Sequence, residues 1–249
     1  MNFWKRLLFV LVAALPLAAM QAKAIPLDKV PKQTTDLVSL QNGAKIFVNY
    51  CLGCHSAAYM RYTKLEELGL SKEKIEDNLM LATDDIGTTM KANIDPEQAK
   101  SWFGGAKPPD LTVIARALSG SGGSGADYVY TLLRTYYRDP TRPTGWNNMT
   151  FTNFGMPHPL WQLQGEREPI FSGEGNDKVF TGRWKQVTPG TLSQVEYEDT
   201  VADLANYMAW MAEPVRNKRV QIGVWVMIFL LLFTFIAMGL NAAYWKDVE

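Results

Sequence analysis

Two thiols and an imidazole lie close together in Cys51-Leu52-Gly53-Cys54-His55. Thiols at this spacing can add across the two vinyl groups of one porphyrin edge, and the adjacent imidazole then sits below the iron as its proximal ligand. C-x-x-C-H is the attachment pattern of a c-type haem. C-x-x-C also serves redox disulfides and zinc sites. A zinc site of the common kind needs a second ligand pair, yet Cys51 and Cys54 are the only cysteines present. A thioredoxin-like motif needs a βαβ setting, which the flanking sequence does not offer. The pattern therefore predicts one haem c, covalent on Cys51 and Cys54, with His55 on the iron.

The occupant of the sixth iron position sets the function. An open position favours small-molecule chemistry, whereas Met or His closes it and makes an electron carrier, with Met raising the reduction potential relative to a second His. His158 is the only other histidine, among 11 methionines. Met208 and Met211 fall on the apolar face of a predicted helix, and Met60 and Met80 fit helix surfaces or cores. Met156 differs, because it stands in Phe154-Gly155-Met156-Pro157-His158-Pro159. There a glycine and flanking prolines can hold a rigid loop against a haem face. On residues alone, Met156 and His158 are both candidates.

The elements that must position these groups read as mainly α. A helix is predicted from Ser39 into the haem motif, with Gly43, Phe47 and Cys51 on one face. Ser71 can cap a helix through Leu81, and Asp95-Pro96 is a cap followed by proline at the first helical position. Pro108-Pro109-Asp110-Leu111 opens a helix to about Leu118, the glycine-serine run Ser119–Gly125 is a loop, and helix resumes over Asp127–Tyr137. Residues 138–190 carry many prolines and glycines and are expected to be mostly irregular. Ser193-x-x-Glu196 is a capping box that opens a helix running to Pro214. No strand alternation of any strength and no internal repeat is apparent.

Both ends speak of a membrane. Residues 1–24 read as a cleaved signal peptide: Lys5 and Arg6, an apolar run from Leu7 to Ala19, then Ala22-Lys23-Ala24. Residues 25–217 then form an exported, periplasmic haem domain, since export is where bacteria attach c-type haem. Val220–Trp245 carries no charge and is long enough for one transmembrane helix, assigned to 218–245, with Trp225, Tyr244 and Trp245 as interfacial anchors. Arg216, Lys218 and Arg219 before the span outnumber Lys246 after it, so a simple positive-inside count would reverse the orientation. That rule weakens for long translocated domains. The export signal thus leaves the domain outside and the tail 246–249 in the cytoplasm.

The 25 basic and 25 acidic residues balance, but without the three leader bases the remainder carries 22 against 25. No basic run or basic stripe with aromatics is present, so nucleic-acid binding is not expected. Nine acids against five bases between Lys64 and Lys100 could guide a basic partner. The 8 Trp, 10 Tyr and 11 Phe suit packing around a large flat cofactor or an aromatic-rich core alike.

Taken together, these motifs resemble the cytochrome c1 family, the haem subunit of the ubiquinol–cytochrome c oxidoreductase (cytochrome bc1) complex, in its proteobacterial form. The resemblance rests on Asn49-Tyr50-Cys51 through His55-Ser56, Trp102-Phe103-Gly104, Pro108-Pro109-Asp110-Leu111 and Asp127-Tyr128-Val129-Tyr130. It continues in Gly155-Met156-Pro157, Ala212-Glu213-Pro214 and a C-terminal span ending Tyr244-Trp245-Lys246, and so covers nearly the whole mature chain in order. It implies a cytochrome c-like haem domain with irregular loops and one C-terminal transmembrane helix. It also implies Met156 as sixth ligand, a carbonyl of Pro108 or Pro109 accepting the Nδ1 proton of His55, and Arg116 near a haem propionate. In some forms that arginine lies two positions later, where this chain has Leu118. Cysteine pairs that brace some relatives are absent. The implied partners are cytochrome b, the Rieske iron–sulfur protein, a soluble or membrane-attached cytochrome c, and the lipid bilayer. A free-standing membrane-anchored cytochrome c serving a terminal oxidase or reductase is the alternative, and a haem enzyme or gas sensor with an open sixth position is a third class.

Overall fold

Asp36 starts the first helix. Its carboxylate accepts from Val38 N at 2.9 Å and Ser39 N at 3.4 Å, so α1 spans Leu37–Ile46, two residues earlier than the apolar periodicity suggests. The helix then widens into a single π turn, Phe47–Cys51, closed by Leu52 N on Phe47 O at 3.0 Å. The computed structural model describes residues 25–31, 34–103, 105, 107–120, 122–173 and 179–247. The predicted signal peptide, Gly104 of the Trp-Phe-Gly motif and the last two residues lie outside that set.

Most of the chain between the haem motif and the final pair of helices is short elements. β1 (Ala57–Arg61) pairs antiparallel with β2 (Thr89–Met90), and between them come a 3-10 helix, Tyr62–Leu68, and α2 (Lys72–Leu79), capped by Ser71. α3 (Pro96–Trp102) carries the predicted Asp95 cap and first-turn proline. α4 is only Ile114–Ala117, because the preceding residues are used elsewhere. Leu111 N donates to Ser56 O at 2.8 Å, and Asp110 accepts from Ala58 N and from Thr112. The predicted helix from Pro108 is thus replaced by a tether onto the haem motif.

α5 (Gly125–Leu133) begins in a capping box made by Ser124 and Asp127 and ends four residues earlier than predicted. The chain turns to extended structure there, pairing β3 (Tyr136–Arg138) with β4 (Trp146–Asn148). After α6 (Trp161–Gln164) comes the main departure from expectation. β5 (Gly165–Ser172) and β6 (Val179–Pro189) form a long antiparallel hairpin where irregular chain was predicted. Two register shifts, at Glu166/Arg167 and Pro169/Phe171, break the period-two pattern in β5, and Gly182 interrupts β6 at φ +79°. The soluble part remains mainly α, with three two-stranded sheets among the described residues.

α7 (Gln194–Ala212) opens on the predicted Ser193–Glu196 capping box and is the central helix. Its Val201, Leu204, Ala205, Tyr207 and Met208 are buried against α1 and α5. Gly43 is what lets α1 approach: a Cβ there would lie 2.2 Å from Asp203 O and 2.5 Å from Tyr207 Cβ. Ser39 and Asn42 both donate to the Asp203 carboxylate across the same crossing, and Phe47 packs on Tyr207 at 5.6 Å. α8 (Arg216–Trp245) leaves the domain with no buried residue, and is the one described helix long and apolar enough to cross a membrane. Among the methionines read as packing, Met60, Met208 and Met211 are buried and Met80 packs at the core's edge.

Candidate haem site

The π turn delivers Cys51 to the inner side and Cys54 to the surface, both as free thiols. Cys54 N and His55 N donate back to Cys51 O at 3.0 and 2.8 Å, closing a tight turn that carries all three functional groups. Gly53 sits where a Cβ would meet nothing within 4 Å, so the outer side of the turn is clear. Burial, followed by the neighbouring Cys54, pushes the Cys51 thiol up to about 12. It is thus protonated at ordinary pH, as an enclosed thiol is before it is alkylated.

His55 is buried, and its Nδ1 lies 2.8 Å from the Pro109 carbonyl oxygen. A carbonyl only accepts, so Nδ1 carries the proton and Nε2 holds the lone pair. Nε2 makes no hydrogen bond to the described residues, which is the state a metal ligand requires. Burial lowers the imidazole's affinity for a proton, partly opposed by the Pro109 carbonyl and the Asp110 charge. This Nδ1 contact is the one the family resemblance implies for the Pro108-Pro109 pair, with Pro109 as the acceptor.

Pro109 is held in turn by groups that sequence reading did not single out. Asp110 Oδ1 accepts from Thr112 N and Oγ1, its Oδ2 accepts from Ala58 N at 2.7 Å, and Ser56 contributes both its carbonyl, to Leu111 N, and its hydroxyl, to Ala92 N. The only signal was an aspartate two residues before a threonine, the pattern of a side chain that bonds its own backbone downstream. Arg116 is exposed on α4, and its charge reaches Glu213, itself paired to Arg219 at 2.6 Å at the neck before α8.

Met156 and His158 are placed very differently. Met156 is half-buried in chain of no regular structure, its carbonyl accepting from Tyr136 OH at 3.4 Å. His158 is enclosed, stacked on Tyr136 at 4.6 Å and edge-on to Trp146 at 5.2 Å and Tyr197 at 6.5 Å. Burial, followed by the Arg167 charge, lowers its pKa to about 3, opposed in part by the Gln164 side chain. His158 is thus a neutral ring enclosed by aromatic side chains. The described residues contain no cluster of three or more His, Cys, Asp or Glu side chains that could hold a bare metal ion. Two thiols on one turn and one oriented imidazole fit a covalent porphyrin instead.

The profile of the Cytochrome C1 family matches residues 28–248. Cytochrome c1 of Allochromatium vinosum is 40% identical over 218 residues, covering 86% of each chain. The ammonia monooxygenase gamma subunit of Nitrosomonas europaea is 39% identical over 251 residues, covering all of both. Cytochrome c1 of Rhodospirillum rubrum is 28% identical, over 86% of this chain and 83% of its own length. The chain belongs to the cytochrome c1 family, the membrane-anchored haem electron-transfer subunits of bc1 complexes.

Proposed function

We propose that this chain is the electron relay between the Rieske iron–sulfur protein and a soluble or membrane-attached cytochrome c, working beside cytochrome b. One haem c supplies the one-electron chemistry. Cys51 and Cys54 would hold it by thioether bonds, and His55 and Met156 would ligate the iron. Pro109 keeps the His55 proton on Nδ1, which fixes the ring and raises its donor strength. Arg116 would face a propionate. The observation that carries the reading is the Cys51–His55 turn with His55 Nδ1 committed to Pro109 O. The enclosure of His158 among three aromatic rings favours Met156 as sixth ligand. On this reading residues 1–24 are removed, 25–217 lie in the periplasm, 218–245 span the inner membrane and 246–249 reach the cytoplasm.

Purification of the membrane complex, with a reduced-minus-oxidised spectrum and identification of partners, tests it. A c-type spectrum with cytochrome b and the iron–sulfur protein is expected. Isolation without either partner would favour the free-standing cytochrome. The full-length match to a protein named as an ammonia monooxygenase subunit gives that outcome a second form, association with a monooxygenase. Met156→Leu should retain covalent haem and lower the midpoint potential markedly; an unchanged potential excludes Met156 as ligand, and tight carbon monoxide binding by the native reduced protein would mean an open sixth position.

A further inference from the structure

Between β4 and Met156 the chain crosses seven residues, 149–155, with no regular structure, yet side chains hold its backbone at Thr150, Phe151 and Asn153. Asn148 is fully buried. Its Nδ2 donates to Leu132 O at the end of α5 at 2.7 Å, while Oδ1 accepts from Thr150 N at 2.8 Å, Phe151 N at 3.1 Å and Thr135 Oγ1 at 3.1 Å. Its neighbour Asn147 is anchored to Asp139 through Nδ2 at 2.8 Å, and its Oδ1 accepts from Asn153 N at 2.8 Å. Asn153 is the one described non-glycine residue with a left-handed backbone, at φ 62°. Arg142 grips it from the other side, donating from Nη1 to its Oδ1 at 3.2 Å and from Nη2 to its carbonyl at 3.1 Å. Left-handed backbone is tolerated by asparagine and held only where the surroundings over-determine it.

We infer that Asn147, Asn148 and Arg142 are positioning residues that preset the Met156 loop, so that its thioether reaches the iron without first having to be ordered. This rests on the reading of Met156 as sixth ligand. Fixing a residue's backbone costs conformational entropy, so a free seven-residue loop would weaken a thioether bond heavily, while a pre-ordered one would not. Asn148 ties the loop at the same time to the end of α5 and to Thr135, and β4, which carries both amides, is paired to β3, so the loop is fixed from a rigid base.

The test uses the full-length haem-loaded chain in its membrane complex. Arg142→Gln and Asn147→Ala are compared with Met156→Leu by the ferric iron–thioether charge-transfer band, carbon monoxide binding to the reduced state, and thermal melting. Each lost loop bond should raise the open fraction, read as carbon monoxide binding, by up to about tenfold. The charge-transfer band should weaken, and melting should fall less in Arg142→Gln, whose side chain is half-buried, than in Asn147→Ala, whose side chain is buried. If Met156→Leu leaves the band intact, the ligand assignment fails and this inference goes with it. If Met156→Leu abolishes the band while Arg142→Gln keeps native band strength and stays inert to carbon monoxide, the ligand stands and the inference is overturned. Should Asn147→Ala fail to accumulate, Arg142→Gln decides alone.

Discussion

Replacing Asp127 with asparagine probes how the N-terminal segment is bound to the haem domain. Asp127 is buried at 3% exposure, and its two oxygens accept from Val30 N at 3.0 Å, Ser124 N at 3.0 Å and Lys29 Nζ at 2.9 Å. Burial by itself would raise its pKa, but the bonds from Val30, Lys29 and Ser124 outweigh that and hold it at about 2, against an ordinary 3.8. The Lys29 side chain is largely exposed, so the two backbone donors carry most of the effect. A depression of this size is worth about 2 kcal/mol of stability at neutral pH. A carboxylate whose pKa is lowered by folding gives that stability in full well above 3.8 and loses it as pH falls towards 2. Asp127→Asn turns one acceptor into a donor aimed at other donors, so it should cost about 2–3 kcal/mol at pH 7. Denaturant unfolding of the detergent-solubilised chain at pH 7 and pH 3 measures both parts. About half the gap between variant and native protein should remain at pH 3. A gap below about 0.5 kcal/mol at pH 7, or one that does not narrow on acidification, would show that these bonds do not hold the carboxylate ionised.

Other sites give simpler tests. Gly43→Ala drives a methyl into Asp203 O and Tyr207 Cβ, so melting should fall by an amount reflecting about 1–3 kcal/mol of overpacking. Asp110→Ala strips Ala58 N and Thr112 of their acceptor; a loss of about 1–3 kcal/mol in chemical denaturation is expected, with the His55–Pro109 contact loosened. Trp184→Ala removes the ring that lies 4.0 Å from the Arg167 guanidinium, and should destabilise by at least about 1 kcal/mol in the same assay. Truncation before Arg216 should release the haem domain into the soluble fraction, which alkaline washing of membranes would reveal.

The parts of the molecule legible in its sequence are those in which one local interaction decides the outcome. Cys51, Cys54 and His55 stand out by spacing and share one turn, Ser71, Asp95 and Ser193 cap the helices they precede, and the charge-free stretch from Val220 lies in one long helix with no buried residue. Gly43 lies on the helix face predicted to carry Phe47 and Cys51, and α7 is the helix that approaches there. Failures occur where a distant group competes for the backbone. The helix expected from Pro108 gave way because Leu111 N and the Asp110 carboxylate are engaged by residues 52–55 positions away. The hairpin of β5 and β6 was missed because its alternation is broken by bulges, and a proline, Pro169, sits within the strand. Of the candidate site, the Cys51–His55 turn was readable as a motif, whereas the amides that hold the loop before Met156 look in sequence like ordinary polar residues.

That hairpin is joined to the domain at a narrow waist. Gly165 pairs with Pro189, Thr191 N and Leu192 N donate to Gln162 O and Leu163 O, and a Cβ at Gly165 or Gly190 would strike opposing backbone at 2.2 or 2.1 Å. Arg167 is the last inward tie, donating to the carbonyls of Tyr136 and Arg134. From Glu168 outward the two strands lean chiefly on each other, through Glu168–Lys185, Phe171–Phe180 and Phe180–Trp184, with Tyr137 beside Trp184 as the outlying contact. Because the two strands enter and leave side by side, shortening or extending the arm leaves the separation of its endpoints unchanged. Its reach is therefore a quantity that can drift through insertion and deletion while the electron-carrying centre is left undisturbed.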